Sequence, residues 1–168
     1  MDLAAFETVA QALHVAQVRY LVAGGLAVNA HGYIRLTMDI DLVIALDNEN
    51  VRRAFHALAD AGYRPSVPIN GEDFAQAAQR ERWRVEKGMQ VLNFYSAAFP
   101  GTSVDVFVYE PFDFGQEYGN ALRGELLPGV VARFVSIPTL IRMKEVAGRP
   151  RDLDDIEHLR LLMESPHD

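Results

Sequence analysis

The sequence predicts an α/β protein of the α+β kind, a small mixed β-sheet flanked by helices. Two observations predict it. Apolar residues recur at three- and four-residue spacing near both ends, as Leu3, Phe6, Val9, Ala10, Leu13 and Ala16, and again as Leu153, Ile156, Leu159, Leu162 and Met163. That is the period of an amphipathic helix. Between them lie short apolar or alternating runs of strand length, at 20–23, 39–46, 89–95, 103–109 and 130–137. Helical and strand patterns interleave along the chain, so sheet and helices share one core.

The first helix spans residues 2–17. Tyr20-Leu21-Val22-Ala23 is an apolar run stopped by Gly24-Gly25, a buried strand. Leu26 to Ala30 reads as a short helix ended by His31-Gly32. Residues 39–46 alternate, with Asp39, Asp41, Val43 and Ala45 on one face and Ile40, Leu42, Ile44 and Leu46 on the other. Asp47-Asn48 offers an N-cap to a helix through Ala61 that Gly62 stops. The polar stretch 65–87 predicts a loop with a helix around 72–82. Segments 89–95 and 103–109 predict strands of a hairpin turning at Pro100-Gly101. Glycines and prolines in 110–129 predict an irregular excursion, followed by a strand at 130–137 and a helix at 138–146. A last helix starts near Asp152, read as its N-cap, with Asp155 beside the helix dipole.

The 168 residues, 49% of them hydrophobic, suit one domain with a real core, drawn at 1–163 with a flexible tail at 164–168. The chain has no cysteine, which excludes disulfide staples and thiolate chemistry. Asp2 and Glu7 stand where a signal peptide would be basic, and no run reaches the 18 apolar residues of a membrane span. A cytoplasmic protein with no membrane partner is expected. With 16 basic and 23 acidic side chains the formal charge is −7, which excludes nucleic-acid binding through bulk charge. Two local basic patches remain, Arg80, Arg82, Arg84 and Lys87, and Arg142, Lys144, Arg149 and Arg151.

The chemistry concentrates in a few positions. Asp39 and Asp41 are separated by one apolar residue, so on a strand they share a face about 7 Å apart at about 3.3 Å rise per residue. Like charges this close repel, and a hard divalent cation resolves the repulsion. Gly24-Gly25, with 13 residues between it and Asp39, ends a strand and opens a helix, where backbone amides can hold phosphate; a plain turn explains the same pair. Asp105 sits inside Val104-Asp105-Val106-Phe107-Val108, where a carboxylate needs a metal, an arginine or a hydrogen-bond network. His31 near the glycine turn reads as a helix-end or core histidine that could also approach substrate. Trp83, between Arg82 and Arg84, reads as a packing residue or a base-stacking one.

Taken together, Val22-Ala23-Gly24-Gly25, Asp39-Ile40-Asp41-Leu42 and a later Asp105 resemble the DNA polymerase β-like nucleotidyltransferase superfamily. The segments Arg35-Leu36-Thr37-Met38-Asp39-Ile40-Asp41-Leu42 and Lys144 through Ile156 look like the AbiEii/AbiGii-type nucleotidyltransferases, known as abortive-infection and toxin–antitoxin toxins. The resemblance implies the nucleotidyltransferase fold and a Mg²⁺-dependent transfer of NMP from an NTP to a hydroxyl. It makes Asp39, Asp41 and Asp105 the metal-binding catalytic residues and places Gly24 and Gly25 along the triphosphate. Arg35 and Thr37 would touch phosphate or acceptor, or organise the loop, and Lys144 would lie near the nucleotide phosphates. Many superfamily members carry serine where this chain has Gly25, so only a backbone contact carries over. Asp155 falls on a late acidic position of the family. The implied acceptor is a tRNA 3′ end, with an antitoxin as partner. The alternatives are a small-molecule acceptor, as in aminoglycoside-type nucleotidyltransferases, and a non-catalytic nucleotide-binding module.

Overall fold

The computed structural model describes residues 1–165. The N-terminal helix, α1 (Leu3–Val15), begins where the Asp2 carboxylate accepts from the Ala4 amide. It delivers the chain to β1 (Tyr20–Ala23), which runs without a break into α2 (Gly24–Ala30). An extended segment then leads to β2 (Ile40–Ile44) and α3 (Asn48–Asp60), whose first turn is capped by Asp47 accepting from the Asn50 amide. The middle of the chain supplies β3 (Arg64–Pro65), α4 (Gly71–Ala75), α5 (Ala77–Lys87), β4 (Val91–Tyr95) and β5 (Val104–Phe107). The last third supplies α6 (Phe114–Asn120), β6 (Leu122–Leu127), β7 (Val130–Phe134), α7 (Ile137–Ala147) and α8 (Pro150–Glu164).

The seven strands form one mixed sheet in the order β3-β4-β5-β2-β1-β7-β6. The central trio is what matters for chemistry. β1 and β2 are antiparallel with Ala23 opposite Asp41, whereas β2 and β5 are parallel with Asp41 opposite Asp105. Ile40, Leu42, Val43 and Ile44 are all buried, so both faces of β2 are covered, as a central strand between helical layers requires. Tyr63, Phe74, Phe94, Leu13, Leu21 and Leu58 are among the largest fully buried side chains and join sheet to helices. No helix of the described residues is long and apolar enough to cross a membrane.

Several expectations need correction. α2 starts at the glycines themselves, not at Leu26, and Asp39 stands one residue ahead of β2 rather than inside it. The single helix around 72–82 is two, because Gln76 is extended (φ −81°, ψ 112°) between α4 and α5. The excursion at 110–129 holds α6 and β6; β6 is a mostly exposed edge strand with little apolar alternation, so it lacked the pattern that marks a strand. Its turn into β7 is Pro128-Gly129, where Gly129 has φ 78°, a geometry that glycine takes without strain. The final helix starts at Pro150 with Arg149 as N-cap, so Asp152 is its third residue and accepts from the Arg149 amide at 3.1 Å. α8 continues through Glu164, the first residue of the expected tail, and residues 166–168 lie outside the described ones.

Candidate active site

The sheet register lines up a polar row, Ala23, Asp41, Asp105 and Asn93, across β1, β2, β5 and β4. Neighbouring strands lie about 4.8 Å apart, and residues in register point to the same side. Asp41 and Asp105 are therefore immediate neighbours, and Asp39, two residues before Asp41, projects to the same side. All three are half-buried. Asp39 accepts from Ser103 Oγ at 2.8 Å, and Asp105 accepts from Asn93 Nδ2 at 2.7 Å through its Oδ1. None of the three carboxylates has an ion-pair partner among the described residues.

That isolation shows in the acidity of Asp41 and Asp105. Burial, reinforced by Asp105 and then Asp39, raises Asp41 from 3.8 to about 6. Burial raises Asp105 as well, against the Asn93 hydrogen bond that lowers it. A cation held between two such neighbouring carboxylates would favour their ionised forms. Among the described residues no three acidic or histidine side chains close into a ready-made metal cage. An open arrangement still suits Mg²⁺, which keeps several waters and uses one or two carboxylates plus substrate phosphates. The donor set, all oxygen and partly open to solvent, fits that ion.

The two glycines are explained by their neighbours. Gly24 has φ +60°, and a Cβ there would fall 2.0 Å from Asp41 Oδ2; the carboxylate leans into space that only glycine leaves. A Cβ on Gly25 would fall 2.5 Å from Thr37 Oγ1 and 3.1 Å from Arg35 Nη1. Thr37 is buried, so its hydroxyl fills the volume of the side chain Gly25 lacks.

Arg35 and Lys144 belong to a second cluster. Both nitrogens of the Arg35 fork donate to Asp155 at 2.7 Å, and Lys144 Nζ donates to Asp155 Oδ2 at 2.6 Å. Lys144 also lies 3.5 Å from Asp152 Oδ1, and Arg149 Nε donates to Asp152 at 2.8 Å. Asp155 is fully buried. Burial pushes its pKa up, but Arg35 and Lys144 outweigh that and hold it below the ordinary aspartate value; Asp152 is lowered in the same way, chiefly by Arg149. Lys144 is itself buried and thus meets two carboxylates of α8 rather than standing free for a phosphate. Its charge, like that of Arg149, still acts on Asp41 and opposes the rise in its pKa.

The row is joined by residues that sequence reasoning did not single out. Ser103 and Asn93 carried no motif; only pairing of β2 and β4 with β5 brings them to the carboxylates. Arg149 stood in a basic patch, and the structure makes it the exposed cation within electrostatic reach of Asp41. His31 Nε2 lies 2.8 Å from the Val135 carbonyl and ties α2 to the end of β7. Trp83 is buried against Phe74, with ring centroids 6.3 Å apart, and Arg80 is buried with Nη1 on the Phe74 carbonyl at 2.6 Å. The first basic patch is therefore not one exposed surface. Cavities of about 310 Å³ beside Glu117 and Thr139, and about 680 Å³ beside Tyr20, are lined by none of the three carboxylates.

No family model matches the sequence, and no curated protein matches it. The solved structure of the antibiotic-resistance factor ANT(2'')-Ia is similar to it, with a TM-score of 0.57 and 16% sequence identity. The likeness covers 95% of this chain and 81% of that one. It establishes the fold, a mixed α/β nucleotidyltransferase fold built on a seven-stranded sheet.

Proposed function

We propose that this chain is a Mg²⁺-dependent nucleotidyltransferase that moves NMP from an NTP onto a hydroxyl acceptor. The observation that carries the reading is the row of Asp39, Asp41 and Asp105, side by side, partly open and without an ion-pair partner among the described residues. The fold that this chain shares with an aminoglycoside nucleotidyltransferase supports it. Mg²⁺ held by Asp39, Asp41 and Asp105 would supply charge neutralisation and orientation of the triphosphate. In the transfer, the acceptor oxygen forms a bond to the α-phosphorus while the bond to the bridging oxygen breaks and pyrophosphate leaves. Asp105, with a raised pKa and one oxygen free of Asn93, takes the acceptor proton.

The chain's other residues prepare the nucleotide. Gly24 and Gly25 bring the start of α2 close to the phosphates, and the Thr37 hydroxyl occupies the space beside Gly25 that a side chain there would need. Arg149 is the exposed cation for the triphosphate. Lys144 contributes as a fixed charge held by Asp155 and Asp152, and Arg35 organises the loop that ends at Asp39.

A small-molecule hydroxyl is the favoured acceptor, since the fold neighbour is an antibiotic-resistance factor and the net charge of −7 disfavours a polyanion. The second reading, transfer to a tRNA 3′ end by a toxin-like enzyme with an antitoxin partner, rests on the sequence segments 35–42 and 144–156. A cytoplasmic location accompanies both. Incubation with each labelled NTP and Mg²⁺, with tRNA and with aminoglycosides in parallel, followed by mass spectrometry, decides between them. An NMP adduct on the small molecule supports the first reading and an adduct on RNA the second. If no adduct forms and calorimetry finds no Mg²⁺-dependent NTP binding, both give way to a non-catalytic module.

A further inference from the structure

Tyr20 opens β1 opposite Ile44, three residues from the Ala23–Asp41 pair, so about 10 Å of strand separates it from the carboxylate row. There the end of α1, the start of β1, the outer side of β7 and Tyr118 of α6 border an open cleft of about 680 Å³, large enough to admit a small molecule. Its ionisable wall is basic: Arg19, Arg133 and His14 line it, and no carboxylate does among the described residues. In a chain of net charge −7, that makes it a local exception. Arg19 is tied to Asp47 at 2.8 Å, but Arg133 has no carboxylate partner among the described residues.

Two further observations point to a ligand. The Tyr20 hydroxyl is buried and has no hydrogen-bond partner among the described residues, an arrangement that costs stability unless something meets it. Burial, reinforced by Tyr118, raises this phenol to about 12, so at neutral pH it is an O–H donor. Arg133 is pre-organised: its Nη1 donates to the Tyr118 carbonyl at 2.7 Å and its guanidinium stacks 3.8 Å over the Tyr118 ring. The rest of the fork is left to meet an acceptor.

We infer that this cleft binds a small molecule bearing an oxyanion, held by the Arg133 fork and the Tyr20 hydroxyl, with Val15 and Val131 against its apolar body. Arginine's planar fork matches a carboxylate or phosphate group bidentately. The inference stands apart from the proposed transfer reaction, because it uses none of the carboxylate row.

The test is an NMR titration of the full isotope-labelled chain in EDTA, which removes metal-dependent nucleotide binding at Asp39 and Asp41. The probes are inorganic phosphate, AMP and benzoate. Saturable shifts of the Gln17, Val131 and Arg133 amides with any of them support the site, and the ranking of the three tells how much the body adds to the anion. Tyr20→Phe is expected to weaken binding about tenfold, the effect of one hydrogen bond to a charged group. It should melt no lower than the parent, since the lost hydroxyl had no partner. Arg133→Gln is expected to weaken binding at least as much, and Tyr20→Phe carries the test if that variant folds poorly. No saturable shift at these amides up to about 10 mM probe, a concentration well above the millimolar range of weak binding, would overturn the inference. So would shifts confined to residues 23–25 and 39–41, or unchanged affinity in Tyr20→Phe.

Discussion

Two clusters of aspartates flank the loop 33–39, and they are built on opposite plans. Asp152 and Asp155 are buried and matched by Lys144, Arg149 and Arg35, so burial is outweighed and both stay ionised below their ordinary pKa. Asp41 and Asp105 are raised instead, because burial acts on them with no ion-pair partner to outweigh it, and neighbouring carboxylates add to the rise. The matched cluster fastens α8 and α7 to the loop, a structural task that the fold completes with its own cations. The unmatched cluster has no ion-pair partner among the described residues, and it is where the proposed Mg²⁺ would sit. The contrast teaches that an internal ion-pair partner, more than the number of carboxylates, decides whether a buried aspartate is raised or lowered.

The comparison breaks first at the unmatched row. Asp39→Asn, Asp41→Asn and Asp105→Asn are each expected to lower nucleotidyl transfer by about 10³-fold or more, the scale of losing a charge-stabilising group in the reaction. A transfer assay with labelled NTP checks this. Stability should move the other way: with the repulsion removed, metal-free Asp41→Asn should gain on the order of 1 kcal/mol at pH 7.5, discounted for partial exposure. Transfer that survives in Asp41→Asn would remove the site assignment.

At the matched cluster the same kind of change has the opposite consequence. Asp155→Ala leaves Lys144 and Arg35 without their shared acceptor and is expected to cost about 3–5 kcal/mol in denaturant unfolding. If it unfolds no more easily than the parent, the cluster is not the fastening described here.

Gly24→Ala tests the junction between the unmatched row and the glycine turn. Its Cβ meets Asp41 Oδ2 and its φ of +60° suits glycine, so a loss of about 1–3 kcal/mol is expected, with transfer reduced because Asp41 must move. Melting curves and the assay together separate the two effects.

The smallest effect concerns pH. Asp41 is 3.8 ordinarily and about 6 when folded, so the folded state holds its proton more tightly. Its contribution to stability is present at low pH and is lost as pH rises from about 4 through about 6. The melting temperature of metal-free parent minus Asp41→Asn should fall across that window. Mg²⁺ should raise the parent's melting temperature above about pH 6, do little below it, and not act on Asp41→Asn. A flat difference would mean that Asp41 has its ordinary acidity.

How much was legible differs by residue. β1 and the glycine stop were readable because four apolar residues followed by Gly-Gly allow little else. Asp41 and Asp105 stood out because carboxylates inside apolar strands contradict propensity and need a reason, and Asp39 stood out by its spacing from Asp41. β6 and α6 were not, since an exposed edge strand and a short helix have no apolar period to betray them. Asp152 was misplaced by two rules that agree on residue type: an aspartate near a helix start serves as N-cap or as third residue, and Pro150 at the first turn chose the latter.

The sequence by itself determined the alternation of helix and strand, the glycine turn and the three carboxylates, because each rests on local pattern. Only the tertiary structure decided which charges meet. Pairing of β2 with β5 sets Asp41 beside Asp105, and packing of α8 against α7 and the loop gives Lys144 and Arg35 to Asp155. Both depend on residues more than 10 positions apart in sequence, where spacing carries no information and register and packing carry all of it.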